Sequence, residues 1–145
     1  MTLTDKTLSL PRPLVNKILA HAQQNPKVEV CGLIGNSIGN NGSVAKNYYP
    51  IDNVANNPGS HFLMDAPQQI KAMKQMREKQ QTLLAIVHSH PTADARPSQL
   101  DIKENTYKEV FYIIISLNTK GVLEMRAYVQ QEDSMEEIEL LLEDS

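Results

Sequence analysis

The sequence predicts an α/β domain in which a single mixed β-sheet is flanked by helices. Two observations carry this. Apolar residues recur at helical spacing in Leu14–Ala22 and again in Ile70–Met76. Around them lie short runs dense in Val, Ile and Leu, above all Leu83–Val87 and Val110–Leu117, bounded by clusters of Gly, Asn and Pro. With 145 residues, 41% apolar and 21% charged, one compact domain over residues 1–145 has enough chain to bury a core without staples.

Taken in order, Thr7–Leu10 is expected as an edge strand. Pro11 and Pro13 then open a helix, where a missing N–H costs nothing. Leu14, Val15, Ile18, Leu19 and Ala22 mark its buried face, and Asn25-Pro26 ends it. Val28–Ile34 reads as a strand closed by Gly35, with Glu29 as its one charged residue. Asn36–Ser43 is expected to turn, and Val44–Ile51 to return as a hairpin partner. Asp52–Ser60 has no periodicity and is read as a loop, followed by a short strand His61–Met64.

Asp65 with Gln68 three residues on is a capping-box arrangement for a second helix. Its expected buried stripe is Ile70, Met73 and Met76, with Lys71, Lys74, Arg77 and Lys79 on the wet side. Five consecutive apolar residues, Leu83–Val87, predict a strand buried on both faces. Ser98–Tyr107 is expected as a short helix, Val110–Leu117 as a strand, Asn118–Gly121 as a turn and Val122–Gln130 as its partner. Ile138, Leu140 and Leu142 alternate, which fits a last strand, with a short helix as the alternative. By composition alone, Asn40–Ser43 and Asn53–Ser60 are candidate mobile covers.

Formal charge is −3 and the isoelectric point about 5.8. No basic field exists to hold nucleic acid. Residues 1–126 carry all 14 Lys and Arg, while 127–145 hold seven acidic side chains and no basic one; a solvated end of the domain explains that block. A single cysteine, Cys31, allows neither an intramolecular disulfide nor a cysteine-built zinc cage. No apolar run is long enough for a signal peptide or a membrane span, so the chain is expected in the cytoplasm without a membrane partner.

The chemistry-bearing residues follow the apolar strand. His88 and His90, two apart in extended chain, present their rings on one side with Cα atoms about 6.6 Å apart. Two such imidazoles can meet on one metal ion. Eleven residues beyond His90 comes Asp101, in the first turn of the next helix, where a carboxylate can reach the same point. Two histidines, one aspartate and a water have the make-up of a catalytic zinc site. Ser98-Gln99-Leu100-Asp101 is also a capping box, which would pin that aspartate in place.

His88-Ser89-His90, a seven-residue gap, Ser98, two residues and Asp101 resemble the motif of the JAMM (MPN+) metalloproteases. Glu29-Val30-Cys31-Gly32-Leu33-Ile34-Gly35 is similar to that family's upstream element, a glutamate before Gly-x-x-Gly. The order of elements over residues 5–130 is similar to the small stand-alone bacterial members. The resemblance implies the MPN, cytidine-deaminase-like fold and Zn²⁺ bound by His88, His90 and Asp101. It implies Glu29 as general base and then acid toward a zinc-bound water, and Ser98 as donor to the developing oxyanion. The implied reaction is hydrolysis of a peptide or isopeptide bond after the extended, Gly-rich C-terminus of a ubiquitin-like protein, in small bacterial relatives typically a sulfur carrier. Cys31 is expected to pack, and His21 and His61 to serve neither metal nor catalysis. Two other readings stay open here: a non-catalytic MPN interaction module, and an accessory domain of a phage-tail or cell-wall hydrolase.

Overall fold

Strand β1 (Leu8–Pro11) runs straight into helix α1 (Arg12–Gln24), with Pro11 as N-cap and Pro13 in the first turn. The computed structural model describes residues 7–39, 42–105, 107, 109–118 and 123–144. After α1 come β2 (Cys31–Gly39), β3 (Gly42–Ile51), α2 (Ala66–Glu78), β4 (Gln81–His90), α3 (Gln99–Lys103), β5 (Phe111–Ser116), β6 (Glu124–Gln131), β7 (Ser134–Ile138) and β8 (Leu140–Glu143). Six strands form one sheet in the order β3-β2-β4-β5-β6-β7. Only the β4–β5 pair is parallel, so the sheet is mixed as expected. The two terminal strands, β1 and β8, pair in parallel beside it.

Alternation along the central strands sorts the core into two halves. Ala85 and Val87 of β4, with Ile113 and Ile115 of β5, join Leu14, Val15, Ile18 and Ala22 of α1. Ile86, Tyr112 and Ile114 face the other way, with Ala72 and Met76 of α2. His88 and His90 continue the Ile86 series. They therefore emerge on the α2 face, at the end of a strand buried from Ala85 onward. Ser89, between them, faces the opposite side.

Several elements differ from the sequence reading. Gly35 does not end a strand: β2 continues to Gly39, and Asn36–Ile38, expected in the turn, pair within the sheet. The pairing shifts register at Gly35 instead, and glycine is needed there because a side-chain carbon would collide with Gln81 Oε1 and crowd Met76 and Tyr49. Asn36 is buried but accepts from Thr82 Oγ1 at 2.9 Å. The expected turn tip at Asn40 and Asn41 lies outside the described residues, as do most of the expected Asn118–Gly121 turn and Val122. At its other end β2 begins only at Cys31, so Glu29 stands just before the strand.

His61–Met64 forms no strand; a single bridge between Asn53 and Met64 is all that pairs there. At Asp65 half of the capping box is built. Its carboxylate accepts from Gln68 N at 3.1 Å, but the Gln68 side chain turns to Asp52, donating to Oδ2 and accepting from the backbone N–H, both at 2.8 Å. Ile70 is 68% exposed, and the buried stripe of α2 is Ala72 and Met76, one i,i+4 row. The short helix stops at Lys103 rather than Tyr107. The chain's end is strand rather than helix, and two strands rather than one, separated at Glu139. Among the described residues no helix is long and apolar enough to cross a membrane.

Candidate metal centre

Four side chains from three separate segments converge at the end of β4. Ligand-type atoms of Glu29, His88, His90 and Asp101 all lie within 4.8 Å of one another, the group of this kind found among the described residues. His88 Nε2 and His90 Nε2 are 3.1 Å apart, and Asp101 Oδ2 is 3.1 Å from the first and 3.2 Å from the second. Three donor atoms thus form a near-equilateral triangle. A tetrahedron with about 2.0–2.1 Å from centre to corner has edges of about 3.3–3.4 Å, so this triangle is close to one face of a zinc coordination sphere.

Local structure explains how each corner is held. Asp101 is placed by the α3 capping box: Ser98 N donates to Asp101 Oδ2 at 2.8 Å, and Asp101 N donates to Ser98 Oγ at 2.9 Å. His90 Nδ1 lies 2.7 Å from the Asp94 carbonyl. A carbonyl only accepts, so Nδ1 carries the proton and the neutral ring turns the Nε2 lone pair toward the triangle. His88 is held instead by stacking on Phe62, with ring centroids 4.4 Å apart and 24° between planes.

The site is dry. Glu29 is 5%, His88 2% and His90 3% exposed. Burial pushes the Glu29 carboxyl up to about 7, with the Asp101 charge adding to that and His90 opposing it. Burial also lowers the pKa of His88 against the pull of Asp101, which keeps that ring neutral. Asp101 would be raised by its own burial, but the His88 and His90 rings facing it and the Ser98 backbone N–H hold it far below the usual carboxylate range. Glu29 Oε1 and His88 Nδ1 are buried with no hydrogen-bond partner. A buried anion, two lone-pair nitrogens and an orphaned carboxylate oxygen call for a cation among them. The donor set, two imidazoles and a carboxylate, suits zinc.

Glu29 is aimed by residues that no motif names. Its N–H donates to Pro58 O at 2.7 Å, and its carbonyl accepts from Asn53 Nδ2 at 2.8 Å. Asn53 Nδ2 also reaches His61 O at 2.9 Å, while Asn53 Oδ1 accepts from Ala55 N and Leu63 N, each at 3.0 Å. Next along the chain, Val30 N donates to Ser89 Oγ at 2.9 Å and Val30 O accepts from Ser89 N at 3.0 Å. Ser89, facing away from the triangle, therefore ties the Glu29 segment to the strand that carries both histidines.

The remaining sequence candidates lie apart from the triangle. The buried Cys31 thiol donates to Ile51 O at 3.3 Å, and burial first, then the Asp52 and Glu29 charges, push it up to about 12. It is a neutral packing group. His21 bonds Tyr48 OH at 2.6 Å, away from the triangle, and His61 pairs with Glu104 at 2.6 Å.

A family model described as prokaryotic homologs of the JAB domain matches residues 11–129. The chain belongs to the prokaryotic JAB-domain family. It is a small JAMM/MPN+ protein. This JAB-domain chain is 28% identical over 115 residues to the CysO-cysteine peptidase of Mycobacterium tuberculosis, covering 79% of this chain and 77% of that protein. It is 34% identical over 115 residues to a probable TtuB-protein conjugate cleaving protease of Thermus thermophilus, covering 79% and 72%. Among solved structures, the JAB-domain fold matches protein DSY2949 of Desulfitobacterium hafniense at TM-score 0.84 and 31% identity, over 95% of this chain and 94% of that one. A structure described as a JAMM metalloprotease-like zinc site in the proteasome and signalosome shares the fold at TM-score 0.57 and 19% identity, over 95% and 99%.

Proposed function

We propose that this protein is a zinc-dependent peptidase that hydrolyses the amide bond after the C-terminal tail of a ubiquitin-like protein of the sulfur-carrier type. The observation that carries this is the triangle of His88 Nε2, His90 Nε2 and Asp101 Oδ2, with the buried Glu29 carboxylate beside it. Relatives named for cleaving CysO-cysteine and TtuB-protein conjugates support the substrate class. A Gly-rich tail suits a narrow cleft, because glycine lets backbone approach backbone closely. A cytoplasmic setting goes with the same reading.

His88, His90 and Asp101 would hold the zinc ion. When bound, zinc polarises the scissile carbonyl and acidifies water to a pKa of about 7. Glu29 takes a proton from the attacking water as that oxygen bonds to the carbonyl carbon. It then returns the proton to the amine as the C–N bond breaks, so atoms and charge balance without a covalent enzyme intermediate. A carboxyl poised near neutrality by burial serves both halves of that exchange. Ser98 Oγ spends a lone pair on Asp101 N, which leaves its O–H free to donate to the oxyanion. A purely structural role would leave the orphaned Glu29 oxygen and the paired imidazoles without a physical reason.

The test is incubation of zinc-loaded protein with tail-extended ubiquitin-like proteins, with mass spectrometry locating the cut. The expected result is one cleavage directly after the tail, lost on chelation and in Glu29→Gln. Cleavage that persists in Glu29→Gln, or none on any member of the panel, overturns this reading.

A further inference from the structure

A cavity of about 250 Å³ opens directly beside the triangle, and His88 and Asp101 form part of its wall. Away from those two residues the lining is mostly apolar, with Gln69, Asn105 and Tyr107 as polar exceptions. Phe62, Leu63 and Met64 contribute from the segment after Asn53, Ile86 and Ile114 from β4 and β5, and Met135 from β7. His61 and Glu104, also in the lining, are already joined to each other at 2.6 Å. At about 30 Å³ per water this space equals roughly eight waters, enough for one large side chain.

We infer that the cavity is the specificity pocket for the residue that follows the scissile bond, and that it selects large apolar side chains such as Leu, Met and Phe. This rests on the peptidase reading above. Tail glycines carry no side chain, so the nearest side chain to the reacting carbonyl belongs to the leaving residue. The shared wall of His88 and Asp101 puts the pocket next to that carbonyl. A charged side chain entering it would lose water against mostly apolar walls, whereas an apolar one gains by leaving water.

The test uses one ubiquitin-like fusion whose residue after the Gly-rich tail is Gly, Ala, Asp, Leu or Phe, cut by the zinc-loaded full chain. Leu and Phe are expected to give kcat/KM about tenfold to a hundredfold above Gly, with Asp lowest. Met135→Trp, which fills the cavity, should remove that preference, read as a Leu-to-Gly ratio of kcat/KM that falls to about one. A milder variant, Leu63→Ser, should weaken the preference if the tryptophan does not fold. A readout independent of turnover is methyl NMR of the metal-free protein: Leu-amide and Phe-amide should shift the Met64 and Met135 signals, and Gly-amide should not. Equal rates across the panel, or a preference for Asp, with cleavage intact, overturn the pocket alone. No cleavage of any fusion overturns the peptidase reading and the pocket's role with it.

Discussion

Asn53 holds the backbone of Glu29 from a loop 24 residues away, donating through Nδ2 to its carbonyl at 2.8 Å. The same side chain gathers the backbone of Ala55, His61 and Leu63, so one amide sets both the loop and the carboxylate beside the metal centre.

Removing that amide should therefore mis-aim Glu29 without disturbing the triangle of His88, His90 and Asp101. Asn53→Ala and Asn53→Asp, which loses the Nδ2 donor, are both expected to lower kcat about 10- to 100-fold. KM and zinc stoichiometry should stay near those of the parent. Buried carbonyls left without a donor should also cost about 1–3 kcal/mol of stability. Steady-state kinetics beside metal analysis separate the two effects. A merely structural Asn53 would lower stability with kcat per folded, zinc-loaded molecule unchanged.

The meeting of His88, His90 and Asp101 is largely legible in the sequence, and its support is not. His88, Ser89 and His90 sit in a strand whose period of two puts both rings on one face, and Ser98 fixes Asp101 through a local four-residue box. Those relationships are short in sequence. Glu29 is singled out only by the downstream motif, since one glutamate near an apolar strand says little alone. Asn53 carried no signal, because its partners are backbone groups that only the folded loop brings together. Phe62 likewise meets His88 only in three dimensions. Gly35 reads as a strand end in sequence but lies within β2, because glycine marks a turn and a close approach equally well. Ile70 misled because the face a helix buries depends on how it lies across the sheet.

Glu29→Gln and Asp101→Ala should fail in different ways. The first keeps all three donors of the triangle, so zinc content should remain near one equivalent while kcat falls about 10²- to 10⁴-fold. The second removes a corner and unmakes the capping box, so zinc should be lost along with activity. Metal analysis after gel filtration distinguishes them. Full zinc occupancy in Asp101→Ala would remove that residue from the ligand set.

Zinc affinity should fall in acid, and the sign follows from His90. Burial favours its neutral form, but the hydrogen bonds to Asp101 and to the Asp94 carbonyl, with the Asp101 and Glu29 charges, outweigh that and raise its pKa above the ordinary 6.5. A proton on Nε2 occupies the lone pair that zinc requires. Below the raised pKa affinity is expected to drop about tenfold per pH unit, and above it to level off. Chelator competition across pH 5 to 8 measures this; a flat profile would exclude His90 as a ligand.

Gly32 should resist replacement for a reason unrelated to catalysis. A side-chain carbon there would lie 2.4–2.5 Å from the Tyr48 ring and hydroxyl, which pack across β2 from β3. Gly32→Ala is expected to destabilise the fold by about 1–3 kcal/mol through overpacking. Adding Tyr48→Ala should recover part of that loss, although His21 then loses its 2.6 Å partner. Thermal melts of the single and double variants read the coupling, and additive losses would show that the two residues do not collide.

Ser98 has two jobs that one substitution can separate. As N-cap its oxygen accepts from Asp101 N, and losing it should cost about 1 kcal/mol, read as a lowered Tm. As donor to the oxyanion its O–H acts only while charge develops on the carbonyl oxygen. Ser98→Ala should therefore lower kcat about 10²- to 10³-fold with KM nearly constant. Ser98→Asp gives the contrast: a carboxylate caps a helix as well as a hydroxyl does, yet once ionised it has no proton to donate and repels the oxyanion. The aspartate variant should recover the melting temperature and leave kcat as low as in alanine. If it recovered both, capping alone would account for Ser98, and the oxyanion would need another donor.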